Sequence, residues 1–418
     1  MQSSDKELVQ FVVAALAHHG VRQVVLSPGS RNSSFAIAFD AHPQFETLVV
    51  HDERAAAFIA LGWAQQTQTP VAICCTSGSA CLNYYPALSE AYYRNIPIVA
   101  LTADRPAKWI NQGDGQTIVQ AEVFKNHAHA YLGFDEDQFV ADPQTTAQLH
   151  AFLQILQQPW TGPIHLNIGL NEPLYGQAAF QDFKFPEISS EYPQAPLPDF
   201  SLLSGKKIMV LVGQMDPNPA LAFQLALFAK YSNVVVLVEN TSNLQHELFN
   251  ACIDRSLNGF DAADPNYQPD VLISLGGAIV SKRIKAYLRQ TPLQLHWRLA
   301  SDFPDMNTFG LLSACLPINP SLFFKEILAE DLPLNSINFQ GKWKALDYSA
   351  KDQQALFETA ADTLFDYDIF AALQQVLPNA FTLHLANSSV VRYAQLFDPI
   401  EGIHYYSNRG TSGIDGSV

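Results

Sequence analysis

Across residues 1–185, short apolar runs alternate with stretches whose apolar positions recur at helical spacing. Leu8, Phe11, Val12 and Ala15 share one face of a helix expected over Ser4–His19. Gln23–Ser27, Thr47–Val50, Val71–Thr76, Ile96–Thr102 and Ile164–Ile168 read as strands. Glu53–Gln66 reads as an alanine-rich helix, and another helix follows Ser77-Gly78 as far as Arg94. Short, continuously apolar strands between helices predict a parallel sheet buried on both faces and joined by right-handed crossovers.

Phe183–Ser204, with Pro186, Pro193, Pro196 and Pro198, has no periodicity and reads as a linker. A second alternating unit follows, with strands at Lys207–Val212, Val234–Val238, Val271–Leu275 and Leu293–Trp297. Its helices are expected at Ala220–Lys230 and Ala278–Leu288. Leu332–Lys344 reads as a second irregular connection. After it come a helical stretch at Ser349–Val376, a strand at Thr382–Ala386, a short helix at Val390–Leu396 and a strand at His404–Ser407. The expected fold class is α/β, with successive parallel-sheet domains over residues 1–185, 200–335 and 350–418. Two strands and one crossover helix cannot cover a sheet on both faces. The third region is therefore expected to be the opening of a domain, and the chain to be part of a longer protein.

Composition narrows the function. The chain has 418 residues, 48% hydrophobic and only 15% charged, which is enough apolar material for sizeable cores and excludes disorder. With 40 acidic against 24 basic residues, the net charge of −16 argues against a nucleic-acid or anionic-membrane binder. No apolar run approaches the roughly 18 residues of a membrane span. The five cysteines, Cys74, Cys75, Cys81, Cys252 and Cys315, form no C-x-x-C pair. A reducing, cytoplasmic setting follows, with Cys74 and Cys75 as packing residues. His127 and His129 stand two apart, do not share a helical face, and read as packing or surface residues.

Four turns follow the carboxyl ends of expected strands: Ser27-Pro28-Gly29-Ser30-Arg31, His51-Asp52-Glu53-Arg54, Thr76-Ser77-Gly78-Ser79 and Thr102-Ala103-Asp104-Arg105-Pro106. That edge is where open α/β sheets bind ligands, and helix N-termini there favour anions. No dinucleotide fingerprint or P-loop is present. Gly113-Asp114-Gly115 lies in a loop and not at a strand end. Taken alone, Glu53 reads as a surface acid that complements a helix N-terminus, and Arg54 is equally readable as its surface neighbour. The residues by themselves describe an α/β protein with an arginine-lined anion site at strand ends.

The motifs S-P-G-S-R, H-D-E-R-A-A-A-F-I-A-L-G, C-T-S-G-S-A and L-T-A-D-R-P resemble the N-terminal region of thiamine-diphosphate-dependent enzymes. Ser281-Lys282-Arg283, Asn387-Ser388-Ser389-Val390-Val391-Arg392 and Ser407-Asn408-Arg409-Gly410-Thr411-Ser412-Gly413-Ile414-Asp415-Gly416 narrow the resemblance to one family. It is that of the 2-succinyl-5-enolpyruvyl-6-hydroxy-3-cyclohexene-1-carboxylate synthases of menaquinone biosynthesis. The resemblance spans the whole chain. It implies a pyrimidine-binding domain, a middle domain and the start of a diphosphate-binding domain, in a homo-oligomer of at least two subunits with active sites between them. It also implies a transferase that joins 2-oxoglutarate to isochorismate with loss of carbon dioxide.

By that resemblance Glu53 is the catalytic residue and a cofactor-binding one, hydrogen-bonded to N1′ of the aminopyrimidine and assisting removal of the thiazolium proton. Asn387 and Ser388 face the cofactor or the first substrate. Ser30, Arg31, Arg105, Gln116, Lys282, Arg283, Arg392 and Arg409 bind the dicarboxylate substrates, for which arginine forks are suited. Gly115 stands where the family pattern leads one to expect asparagine. The cofactors implied are thiamine diphosphate and Mg²⁺, or Mn²⁺, whose binding motif is expected beyond residue 418. No metal ligand is expected within the chain, and the chain alone is expected to show no turnover. Two other readings stay open: a thiamine-diphosphate carboligase of the acetolactate-synthase kind, and a non-catalytic ligand-binding or assembly protein.

Overall fold

The structure is a computed structural model describing residues 2–158, 161–189, 195–258, 260–360 and 365–413. The middle of the expected linker, the 361–364 stretch of the expected long helix and the Ile414-Asp415-Gly416 end of the last motif lie outside the described residues. Contacts divide the chain into two compact units, Met1–Tyr192 with Gly410–Val418, and Pro193–Arg409.

In the first unit the elements are β1 (Gln2–Ser4), α1 (Glu7–His18), β2 (Gln23–Leu26), α2 (Ser33–Ala41), β3 (Glu46–Val49), α3 (Glu53–Thr67) and β4 (Val71–Cys75). They continue through α4 (Tyr85–Arg94), β5 (Ile98–Asp104), β6 (Tyr131–Asp135), α5 (Pro143–Gln154), β7 (Ile164–Gly169) and β8 (Gln177–Ala179). One sheet has the order β3-β2-β4-β5-β7-β6, with every pairing parallel. β1 and β8 pair antiparallel as a separate ribbon. Alternation along the strands sends Val24, Leu26, Ala72, Cys74, Val99 and Leu101 into one core, with α1, α2 and α5. Val25, Val71, Ile73, Cys75, Ile98 and Ala100 enter the other, with α3 and α4. The parallel sheet buried on both faces is as expected. β6 and α5 were not foreseen, because Gly133 and Asp135 break the apolar run and α5 buries only Leu149, Phe152 and Leu153.

The strand order sets the position of the site. The chain passes from β2 outward to β3 and then crosses back to β4 on the other side of β2. In open α/β sheets ligands bind at the carboxyl ends beside such a reversal, here those of β2 and β4. There the backbone comes too close for a side chain at position 29. A Cβ on Gly29 would overlap the side chain of Thr76, at the end of β4.

The second unit contains β9 (Ile208–Val212), α6 (Pro219–Phe228), β10 (Val234–Val238), α7 (Ile253–Ser256), β11 (Val271–Leu275), α8 (Lys282–Gln290), β12 (Leu295–Leu299), β13 (Ala314–Leu316) and α9 (Pro320–Ala329). α10 (Phe339–Ala360), α11 (Asp366–Val376), β14 (Thr382–His384), α12 (Ser389–Ala394) and β15 (His404–Tyr406) follow. Its sheet is parallel throughout, in the order β10-β9-β11-β12-β13. β14 and β15 form their own parallel pair, packed through Leu385, Val391, Ile403 and Tyr405 against Val280.

Two expectations are corrected here. The connection expected to be irregular over Leu332–Lys344 is helical from Phe339, since Phe339 and Trp343 lie one turn apart and both are fully buried. The helical stretch expected at Ser349–Val376 is two helices, α10 and α11. Trp343 fixes α10 to the sheet: its ring lies against Phe260, Tyr267, Tyr287 and Phe339, and its indole N–H donates to the Tyr267 carbonyl at 3.1 Å. Trp343→Ala is expected to cost about 3–5 kcal/mol in urea unfolding. Tyr348→Ala, on the exposed side of the same helix, should stay within about 0.5 kcal/mol of the parent.

Candidate active site

Glu53 opens α3. The Asp52 side chain caps that helix by accepting the Ala55 N–H at 2.8 Å, and Ala56, Ala57, Ala60, Leu61 and Ala64 bury its inner stripe. The cap fixes the first turn, so Glu53 projects from a defined point after edge strand β3. Its side chain is half-buried, and its charge is felt by the buried Cys75 and Cys81 thiols, at and just after the end of β4. Among the described residues no hydrogen bond or ion pair engages its carboxylate. A half-buried acid with no hydrogen-bond partner among the described residues, beside the strand-order reversal, suits a nitrogen heterocycle such as the aminopyrimidine of thiamine diphosphate.

The arginines of this unit are held by carboxylates. Arg31 is buried, donating to the Leu170 carbonyl at 2.9 Å and to Glu172 at 3.1 Å. Burial lowers its pKa from the ordinary guanidinium value, and the neighbouring positive charge of Arg105 lowers it further. The two arginines therefore lie close enough to repel each other. Arg105 pairs with Asp114 at 2.8 Å, and its Nε is buried without a hydrogen bond. Asp114, the centre of the Gly-Asp-Gly triplet, is thus an arginine partner. Ser30 is exposed on the Gly29 turn. Gln116 is exposed with φ 58°, and its amide donates to the Ser77 carbonyl at 3.1 Å.

Beneath these groups lies a polar network that the motifs did not reveal. Thr102 Oγ1 donates to Asn167 Oδ1 at 2.6 Å, so at 2.9 Å it accepts from Nε2 of His165. Asn167 donates to Asp104 at 3.0 Å, and Asp104 accepts the Arg105 backbone N–H at 2.8 Å. Gln120 donates to Asn167 at 2.9 Å and accepts the Gly78 N–H at 2.8 Å. Gly78 adopts φ +83°, the left-handed region that suits glycine, so the network fixes both the Gly78 turn and the backbone of Arg105. Burial pushes the Asp104 carboxyl up, against the pull of the Asn167 amide. The available signal was polar residues inside apolar strands, with Thr102 and Asn167 in register. A second missed residue is Glu90, buried in α4, whose carboxylate accepts the backbone N–H groups of Gly410 and Thr411, each at 2.8 Å.

In the second unit the cations gather around α8 and α12. Glu239, at the end of β10, accepts the backbone N–H groups of Val280 and Ser281 at 2.8 and 2.7 Å. Ser281 caps α8 by accepting the Ile284 N–H at 3.1 Å, and its hydroxyl donates to Asp254. Lys282 and Arg283 thus leave a pinned turn, both exposed, and Arg283 donates to Asn258 at 3.0 Å. Burial pushes the Glu239 carboxyl up to about 7 despite those N–H donors. Arg283 and Arg392 line a cavity of about 960 Å³ together with Arg255 and Tyr367. Asn387 donates to the Asn408 carbonyl at 2.7 Å and accepts from Arg409 at 3.2 Å. Ser388 precedes α12 with φ 70°. Arg409 is buried and its charge is felt by Lys285, whose pKa is lowered chiefly by burial.

The remaining expectations resolve simply. All five cysteines are free thiols. Cys74 is fully buried, with its thiol pushed up to about 12 by burial. His127 and His129 pack against Tyr85, Tyr92 and Tyr93. Among the described residues no helix is long and apolar enough to cross a membrane. Among the described residues, the group of three or more potential metal ligands close together is His18, His19 and His150.

The family described as thiamine pyrophosphate enzyme, N-terminal TPP binding domain, matches residues 6–125. A protein of Flavobacterium psychrophilum named 2-succinyl-5-enolpyruvyl-6-hydroxy-3-cyclohexene-1-carboxylate synthase is 38% identical over 98% of this chain and 74% of its own length. Proteins of the same name from Christiangramia forsetii and Porphyromonas gingivalis are 38% and 34% identical, over 100% and 99% of this chain and 77% and 74% of theirs.

His165 gives the network a measurable signature. Burial depresses its pKa from the ordinary 6.5 to about 3. The unfolded chain therefore takes up a proton in acid that the folded chain refuses. This contribution to stability is complete above pH 6.5 and is lost as pH falls towards about 3. Urea unfolding from pH 7 to 4 should show the parent losing about 1.4 kcal/mol per pH unit more than His165→Asn below pH 6.5. Parallel pH profiles for the two would contradict this.

Proposed function

We propose a division of labour among this chain's residues that starts from one fact: the chain belongs to the 2-succinyl-5-enolpyruvyl-6-hydroxy-3-cyclohexene-1-carboxylate synthase family of thiamine-diphosphate-dependent enzymes. The enzyme acts in menaquinone biosynthesis and joins 2-oxoglutarate to isochorismate with release of carbon dioxide. The observation that carries this reading is identity of 34–38% over 98% or more of the chain to relatives bearing that name. Those names also favour the synthase over an acetolactate-type carboligase or a non-catalytic binding protein.

Thiamine diphosphate, when bound, supplies the electron sink that decarboxylation of a 2-oxo acid requires. Glu53 holds N1′ of its aminopyrimidine through the carboxylate that has no partner within the described chain, and exchanges a proton at that oxygen. The Gly29–Thr76 contact and the Gly78 turn shape the crevice wall beside it. Arg31 and Arg105 grip substrate carboxylates. Arg105 does so by trading its exposed partner Asp114 for the substrate, while Arg31, fixed by Leu170 and Glu172, keeps the local field positive. Ser30 and Gln116 add hydrogen bonds at the rim.

In the second unit Lys282, Arg283, Arg392 and Arg409 provide further positive charge for dicarboxylates. Asn387 holds Arg409 in place, and Ser388 presents its hydroxyl from a constrained turn. Mg²⁺, with Mn²⁺ as its alternative, accompanies the diphosphate and draws no ligand from the residues named here. The active assembly is at least a homodimer, and the free thiols suit the cytoplasm.

Assays of the complete gene product with thiamine diphosphate, Mg²⁺, 2-oxoglutarate and isochorismate test the assignment. Glu53→Gln should lower kcat by about 10²–10⁴-fold. Arg105→Ala should raise the KM of a dicarboxylate substrate, and Arg105→Lys should not restore it, because an ammonium cannot make the two-pronged contact. A Glu53→Gln enzyme with kcat close to the parent's would sink the assignment of that residue.

A further inference from the structure

Away from the carboxyl edge of the first unit's sheet, α1 ends in two consecutive histidines, and α5 brings a third beside them. The ring nitrogens of His18, His19 and His150 lie within 4.8 Å of one another. α1 leads directly into the start of β2, so this group sits at the amino edge of the sheet, opposite the edge that carries Glu53, Arg31 and Arg105. We propose that His18, His19 and His150 form a binding site for one transition-metal ion of the zinc class, which ties the end of α1 to α5 and to the segment around Pro186.

The tautomers follow from the hydrogen bonds. His18 Nε2 lies 2.8 Å from the carbonyl oxygen of Pro186, which can only accept. Nε2 therefore carries the proton, and Nδ1 keeps the lone pair a metal needs. A ligating histidine whose other nitrogen donates to a backbone carbonyl is the usual supporting arrangement at protein metal sites. His19 Nε2 and His150 Nδ1 are 3.1 Å apart. Two nitrogens on one tetrahedral zinc, each about 2.0–2.1 Å from the metal, stand about 3.3 Å apart. The metal takes the place of the proton shared between these rings, and that proton moves to the other nitrogen of the ring that carried it. The third ligand belongs to the exposed ring of His18.

His19 is fully buried, and its Nδ1, which has no hydrogen-bond partner, is the nitrogen left to carry the proton when Nε2 ligates. Three imidazoles without a carboxylate select a borderline ion such as Zn²⁺ over Mg²⁺ or Ca²⁺, and leave a fourth position for water. The carboxyl end of α1 adds the negative end of the helix dipole.

The test uses the whole chain without a histidine tag, stripped of metal with EDTA, free of thiamine diphosphate and held in excess Mg²⁺. Zinc chloride should bind at one ion per chain by calorimetry and raise Tm, and EDTA should reverse the rise. Cobalt chloride should give the visible absorption of a tetrahedral site. His18→Ala, at an exposed position that leaves the core intact, and His150→Ala should each weaken zinc binding at least roughly tenfold. His246→Ala, in the other unit, should leave it unchanged. Absence of saturable zinc binding, or equal binding by parent and His18→Ala, overturns the proposal. If His150→Ala fails to fold, His18→Ala alone decides.

Discussion

Asn167 is the small group on which the carboxyl edge of the first unit depends. One side-chain amide accepts from Thr102 and Gln120 and donates to Asp104. Each such bond adds only about 0.5–1.5 kcal/mol net, but an unmatched polar group at this depth costs about 1–3 kcal/mol. The network is therefore held together more by the cost of breaking it than by the gain of forming it. What it fixes is backbone: the N–H of Gly78 through Gln120, and the N–H of Arg105 through Asp104. The Gly78 turn and the backbone of Arg105 are set by the same buried amide.

The second unit solves the same problem with a different acceptor. Glu239, at the end of β10, takes the N–H groups of Val280 and Ser281 just before Lys282 and Arg283. In both units strand order reverses beside the central strands, and glycine permits the close approach there: Gly29 against Thr76 in one, Gly213 against the Gly277 carbonyl in the other. In each, a buried polar side chain at a strand end captures backbone donors and so aims exposed cations. In a chain of net charge −16, arginines grip dicarboxylates only if their local surroundings are arranged for it. Arg31 and Arg105 show the arrangement, since each is held by its own carboxylate, Glu172 or Asp114, while the two repel each other.

Much of this was legible in the chain. Apolar runs located β2, β4, β5, β7 and the central strands of the second unit to within a residue or two, because strands buried on both faces leave no polar alternation to confuse. Glu53 and the arginine turns were singled out because short motifs carry them. β6 was hidden by Gly133 and Asp135, and the start of α10 by neighbouring polar residues that masked the pair Phe339 and Trp343. Gln120, Asn167 and Glu90 have no motif; their partners are distant in sequence, 42 residues between Gly78 and Gln120 and 320 between Glu90 and Gly410. Only the folded chain brings such partners together.

The histidines are the extreme case of that rule. Spacing along a helix finds ligands that share one face, and His18 and His19 are adjacent, so no pattern connects them. His150 reaches His19 across 131 residues, because α1 and α5 pack on the same face of one sheet. Packing of that face needs only apolar residues, as the buried Leu8, Val12, Leu149 and Leu153 show. A buried imidazole there is a polar group retained where an apolar one would fit, and its ring neighbours are two more imidazoles, the set of nitrogen donors that the proposed ligation of a cation calls for.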